Sequence, residues 1–138
     1  MHTERTVTID APAERVWAIL SDVERWHTWT SSITSIDLDG ALVVGATAKV
    51  RQPKLPPTTW TVTEVVPGRS FTWHATAPGS RSVGEHAITP TGEGTCEVRL
   101  TLDQNGPLGS LFGLLYRGLT RRYVQLEAEG LAREATKP

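Results

Sequence analysis

Apolar and polar positions alternate along the chain with two different periods, and the switches between them outline its elements. Residues 3–9 have period two: Arg5, Val7 and Ile9 share one side, and Glu4, Thr6 and Thr8 share the other. With β-branched residues this predicts a strand. Pro12 then suits a first helical position and puts Glu14 at the third. Val16, Ile19, Leu20 and Val23 follow at helical spacing, which predicts a short amphipathic helix. Ser21 and Glu24 have capping-box spacing, so a second short helix is expected there, carrying Trp26 and Trp29.

From residue 31 to residue 103 the period is two. Strands are predicted at 32–38, 47–52, 58–66, 70–77, 81–89 and 95–103. The breaks hold Asp39-Gly40, Pro56-Pro57, Pro67-Gly68, Pro78-Gly79 and Pro90-Thr91-Gly92-Glu93-Gly94, which is turn chemistry. Such short connections predict an antiparallel meander. The pattern then turns helical from residue 110 to about 135. Leu108, Phe112, Leu115, Leu119, Tyr123 and Leu126 are expected on one stripe, with Arg121, Arg122, Glu127 and Glu129 largely off it.

Strand, two short helices, six strands and one long helix make an α+β chain. A seven-stranded sheet must hide one face, and the long helix is the only element large enough to cover it. A curved sheet around a helix leaves space between them for a ligand. Alternation turns Ala48, Val50, Trp60, Val62, Phe71, Trp73, Ala75, Gly84, His86, Ile88, Cys96, Val98, Leu100 and Leu102 towards the helix. It turns Lys49, Arg51, Thr61, Thr63, Thr72, His74, Glu85, Glu97, Arg99 and Thr101 towards solvent. Glu64 joins the inward face only if its strand stays regular; a strand end there releases it to solvent.

Composition adds tryptophan to this picture. The 138 residues include five Trp but two Phe, two Tyr and one Met. An indole brings a broad apolar face and one N–H that needs a partner when buried. Face assignment puts Trp60 and Trp73 inside and Trp17 on the first helix. Trp26 and Trp29, near a helix-to-strand junction, are expected at the mouth of a pocket. Charge narrows the functions. Fourteen Lys and Arg against fifteen Asp and Glu give a formal net charge of −1. No basic field exists for a phosphate backbone, so nucleic acid is not an expected partner. The single cysteine, Cys96, cannot form an intrachain disulfide, and the first residues hold no apolar run of a signal peptide. A cytoplasmic location is therefore expected. No stretch reaches the 18 or so apolar residues of a membrane span. The length fits one domain over residues 1–138.

His86 is the sharpest candidate for chemistry, because it lies on an otherwise apolar face between Gly84 and Ile88. A neutral imidazole there can bond a ligand carbonyl or move a proton. The four histidines, His2, His27, His74 and His86, have no metal-ligand spacing. No nucleophile elbow, P-loop or dinucleotide fingerprint is present. No metal and no cofactor is expected, and any reaction would proceed by placement and proton transfer.

The run Ile9-Asp10-Ala11-Pro12-Ala13-Glu14-Arg15-Val16-Trp17, then Leu20-Ser21-Asp22, Trp26 and Trp29, resembles the opening of the START-related, birch-pollen-allergen-like (SRPBCC) superfamily. The resemblance is greatest to its bacterial polyketide cyclase/dehydrase and lipid-transport branch. Val62-Thr63-Glu64-Val65-Val66-Pro67-Gly68-Arg69 and Thr89-Pro90-Thr91-Gly92-Glu93-Gly94-Thr95 agree with it. The resemblance implies a helix-grip fold, a seven-stranded antiparallel sheet wrapped around the C-terminal helix and a deep apolar cavity. Cyclases of this kind orient a poly-β-keto chain with pocket Arg, Tyr and Trp side chains. Here Arg51 and Arg99 read as outward, and Arg117 and Arg121 lie near the helix boundary. The leading expectation is binding of a small hydrophobic or aromatic ligand, lipid or polyketide-like, lined by Trp29, Trp60, Trp73, His86 and Tyr116. One alternative is a cofactor-independent polyketide cyclase or dehydratase, with His86 as the proton-transfer residue. Another is a non-enzymatic interaction protein, such as a chaperone co-factor or toxin-like partner, with a cavity filled by its own side chains. A cavity below roughly 300 Å³ would favour that last reading.

Overall fold

The computed structural model covers residues 1–138. In chain order the elements are β1 (His2–Ile9), α1 (Ala13–Leu20), a 3₁₀ helix (Val23–Thr28), β2 (Ser35–Leu38), β3 (Thr47–Arg51), β4 (Thr58–Val66), β5 (Ser70–Ala77), β6 (Ser80–Gly92), β7 (Thr95–Asn105), α2 (Pro107–Leu115) and α3 (Arg117–Ala135). The seven strands form one sheet in the order β1-β7-β6-β5-β4-β3-β2. Every neighbouring pair is antiparallel. The meander from β2 to β7 follows from the short turns, and β1 then pairs with β7. This is the helix-grip architecture.

Register fixes which side chains look inward. Phe71 pairs with His86, and His86 pairs with Leu100. Trp73 pairs with Gly84, and Gly84 pairs with Leu102. These rows face α3, while Lys49, Arg51, Glu97 and Arg99 are exposed on the other side. A bulge between Val62 and Glu64 shifts the β4–β5 register. An extra residue at a bulge resets the alternation, so Glu64 is exposed although its strand continues to Val66.

The core is built where the inner face meets α1, the 3₁₀ helix and α3. Val16, Leu20, Trp26, Phe71, Val98 and Leu131 are each at most 2% exposed. Burying a side chain of this size contributes about 1.5–3 kcal/mol. Aromatic rings form a continuous cluster there. Phe71 stacks on His86 at a centroid separation of 4.2 Å and meets Trp73 edge-on at 5.3 Å.

Several local expectations change. The second helix is a 3₁₀ turn that starts after Asp22 and has no side-chain cap. Ser21 does not cap it, because the Ser21 hydroxyl donates back to the Trp17 carbonyl at 2.6 Å. Trp29 lies just past its end. The strand expected over 32–38 is only Ser35–Leu38, since Thr30 and Ser32 bond each other through their hydroxyls at 2.7 Å. Such local side-chain bonds compete with a strand ladder. The long helix begins earlier, at Pro107, and breaks at Tyr116.

The stripe expected on that helix is also different. Leu108, Phe112 and Leu115 are 42%, 45% and 67% exposed. The side of α2 that meets the sheet consists of Gly109 and Gly113, its two buried residues. A Cβ at Gly109 would come within 3.3 Å of Ser80 Oγ, and one at Gly113 within 3.1 Å of Gln104 Oε1. Close approach therefore selects glycine on the inner side and leaves the leucines outside. On α3 the buried line is Thr120, Tyr123, Ala128, Leu131 and Ala135.

Candidate ligand cavity

A cavity of about 380 Å³ lies between the inner face of the sheet, α3 and the α2–α3 joint. Strands β4, β5 and β6 contribute Trp60, Trp73 and His86, and α3 contributes Tyr123, Val124 and Glu127. Phe112 and Tyr116, both more than two-fifths exposed, stand at its rim. Three indoles make its aromatic wall. Trp60 and Trp73 have ring centroids 5.7 Å apart, and Trp73 and Trp26 are 5.8 Å apart. Gly84 makes room for this wall. A Cβ on it would lie 3.1 Å from Cδ1 and Nε1 of Trp73, so any larger residue would push the indole back from β6.

His86 is buried, and its hydrogen bond runs between Nδ1 and the Phe71 carbonyl at 3.2 Å. A carbonyl only accepts, so Nδ1 must carry the proton and Nε2 keeps its lone pair. Burial pushes the imidazole pKa down to about 4, and the Phe71 carbonyl offsets only part of that. At neutral pH His86 is therefore an uncharged acceptor.

Glu127 is the second titratable group on the wall, and the stripe reading placed it off the inner side. It lies four residues after Tyr123 and four before Leu131, both buried, so helical geometry puts it on their side. That spacing was the signal in the sequence. Its Oε2 accepts a long bond from the Ser32 hydroxyl, 3.4 Å away. Burial raises its carboxyl pKa to about 7, and the Ser32 bond lowers it only partly. Near neutral pH it can therefore give or accept a proton.

The expected site residues separate. Trp60, Trp73, His86 and Tyr116 all line the cavity, whereas Trp29 does not. Trp29 is buried behind Trp26, 5.5 Å from it between centroids. Gly130 of α3 packs directly on its backbone. Trp26, expected at the mouth beside it, is 2% exposed and reaches the cavity wall from within. Its N–H is spent on the Leu20 carbonyl at 2.9 Å. The Tyr123 hydroxyl donates to the Pro53 carbonyl and ties α3 to the loop before β4. None of the 27 lining residues is Lys or Arg. Arg51, Arg99, Arg117 and Arg121 are all exposed. No group of three His, Cys, Asp or Glu is placed to hold a metal ion, and no helix is long and apolar enough to cross a membrane.

A seven-stranded sheet gripping a C-terminal helix over an aromatic cavity defines the helix-grip fold of the START-related (SRPBCC) superfamily. Within it, the chain belongs to the polyketide cyclase/dehydrase and lipid transport family, which it matches over residues 1–136. No curated protein sequence matches it significantly. Among solved structures it is similar to the Zhui aromatase/cyclase of a Streptomyces species, with 20% identity, 98% of this chain and 93% of that one covered, and a TM-score of 0.79. A START superfamily protein of Mycobacterium smegmatis shares 16% identity over 97% of this chain and 96% of that one, with a TM-score of 0.77. Norcoclaurine synthase of Thalictrum flavum, solved with dopamine and hydroxybenzaldehyde, shares 12% identity over 100% of this chain and 88% of that one, with a TM-score of 0.76. At these identities the likeness is one of fold.

Proposed function

We propose that the chain, acting as one domain over residues 1–138, binds a small hydrophobic or aromatic molecule between its sheet and α3. The observation that carries this reading is the cavity itself. Its 380 Å³ exceeds the bound of about 300 Å³ below which a self-filled interior was the better account. Trp60 and Trp73 offer indole surface, backed by Trp26, and His86, Tyr116 and Glu127 offer a few polar anchors. That combination of apolar wall and sparse polar groups is characteristic of small-molecule sites. The norcoclaurine synthase relative, seen with dopamine and hydroxybenzaldehyde, supports an aromatic ligand. Intrinsic tryptophan fluorescence and thermal melting against a panel of lipids, polyketides and aromatic compounds test the reading. If no compound changes the emission or raises the melting temperature, it is wrong.

A second reading is a cofactor-independent cyclase or dehydratase. The specific observation in its favour is that His86 and Glu127 face one cavity with inverted proton affinities, the imidazole near 4 and the carboxyl near 7. Opposed environments for two titratable groups are the usual arrangement for acid–base chemistry. For loss of water from a β-hydroxy ketone, His86 Nε2 would take the α-proton while Glu127 protonates the departing hydroxyl, so that the C–O bond breaks and the new C=C bond forms. Turnover of a polyketide mimic that survives both His86→Ala and Glu127→Gln undiminished removes this reading.

A further inference from the structure

The charged residues of the cavity wall are of one sign. It holds one carboxylate, Glu127, and no Lys or Arg. Several interior donors are already committed to backbone carbonyls: Nδ1 of His86 to Phe71, Nε1 of Trp26 to Leu20, and the Tyr123 hydroxyl to Pro53. Neutral hydroxyls and amides, among them Tyr116, Ser80, Ser82 and Gln104, also line the space, but its titratable side chains near neutral pH are the Glu127 carboxyl and the acceptor Nε2 of His86, beside the Trp60 and Trp73 rings. Glu127 is weakly paired, with Ser32 as its hydrogen-bond partner at 3.4 Å.

An anionic ligand would lose its hydration, find no cation on the wall and meet Glu127 as a like charge. A ligand ammonium meets the opposite conditions. Indole faces attract cations through their quadrupole, and a carboxylate in a partly desolvated site gains from an opposite charge. From this geometry we infer that the ligand class of the cavity is an aromatic amine, its ring against the Trp60–Trp73 wall and its ammonium on Glu127. This inference rests on the ligand-binding reading and deepens it by assigning the charge of the ligand.

Three indoles of similar size and different charge test it: tryptamine, the uncharged alcohol tryptophol, and indole-3-acetate. Binding is measured by titration calorimetry at pH 8, above the value of about 7 to which burial raises Glu127. An alkylammonium is still protonated there. Wild-type protein is expected to bind tryptamine about tenfold or more tightly than tryptophol, a charge-pair contribution of ordinary size, and indole-3-acetate weakest. In Glu127→Gln the ratio of tryptamine to tryptophol affinity is expected to fall to within about twofold. Equal binding of amine and alcohol, or tighter binding of the acid, by wild-type protein overturns the inference and leaves the ligand-binding reading intact. An amine preference that persists in E127Q also overturns it, because Glu127 is then not the source. Failure of all three to bind overturns this inference, and the wider panel then decides the reading beneath it. The wild-type series reads the charge preference without any variant, so it stands even if E127Q does not fold.

Discussion

His86 and Glu127 make opposite contributions to stability as pH changes, and where their titration windows overlap the two oppose each other. An unfolded histidine takes up its proton below about pH 6.5, but buried His86 resists it until about 4. Between those values the unfolded chain binds more protons, so the His86 contribution rises with pH. Unfolded glutamate releases its proton near 4.5, but Glu127 in the folded chain keeps it to about 7. Between those values the folded chain binds more protons, so the Glu127 contribution falls with pH. At about 1.4 kcal/mol per pH unit, each shift is worth roughly 3 kcal/mol at most. The Glu127 figure is a ceiling, since the side chain is only partly covered and cavity water screens it. The windows overlap from 4.5 to 6.5, where the two slopes oppose. Removing one group exposes the other. Glu127→Gln is expected to gain stability over wild type as pH rises from 4.5 to 7. His86→Gln, whose amide can still donate to the Phe71 carbonyl, is expected to gain over wild type as pH falls from 6.5 to 4. Urea unfolding followed by tryptophan fluorescence at half-unit steps from pH 4 to 8 measures both differences. Taking differences removes the titration common to all carboxylates. Two flat difference curves, or two of the same sign, would refute the burial argument for this pair.

Other substitutions test single contacts. Gly130→Ala puts a Cβ against the Trp29 carbonyl oxygen, so backbone must move; a loss of about 1–3 kcal/mol in chemical unfolding is expected, and a loss under 0.5 kcal/mol would contradict the close packing of α3 there. Gly84→Ala is expected to push the Trp73 indole, which would be 3.1 Å from the new Cβ, and to blue- or red-shift tryptophan emission; an unchanged spectrum and unchanged ligand affinity would show that Gly84 does not shape the wall. Tyr123→Phe removes the bond to the Pro53 carbonyl and is expected to cost about 0.5–1.5 kcal/mol while speeding amide exchange in the loop around Lys54 and Leu55; unaltered exchange would count against this tether. Trp29→Phe is expected to lower stability but leave the affinity of any cavity ligand within about twofold, because Trp29 is not on the wall; selective loss of affinity would reverse that placement.

The sheet was legible because its chemistry is written in period two. Trp73, Gly84, His86 and Leu100 fall on one face by alternation alone, and the observed register pairs Trp73 with Gly84 and His86 with Leu100. The failure of alternation at Glu64 comes from a bulge that leaves no mark in the local pattern. The C-terminal helices were misread for a different physical reason. Hydrophobic periodicity weighs bulk, and the bulky residues of 107–116 are leucines, phenylalanine and tyrosine. Packing distance weighs the absence of bulk. Gly109 and Gly113 on α2, and Gly130 on α3, are the positions where backbone comes closest to backbone or to strand side chains. Once glycine rather than leucine is taken as the mark of contact, the inner line of α3 runs through Thr120, Tyr123, Glu127 and Leu131, spaced by three and then four residues. A carboxylate on that line is less well hydrated than an outward glutamate, and its proton affinity rises for that reason. The same consideration moves Trp29 off the cavity, since a tryptophan whose carbonyl faces Gly130 lies beneath the helix, with Trp26 between it and the ligand space. The candidate site is therefore not the set of aromatic residues as such. It is the subset that the sheet register and the glycine contacts of the helices leave facing a common volume, together with one acid that only helix geometry brings there.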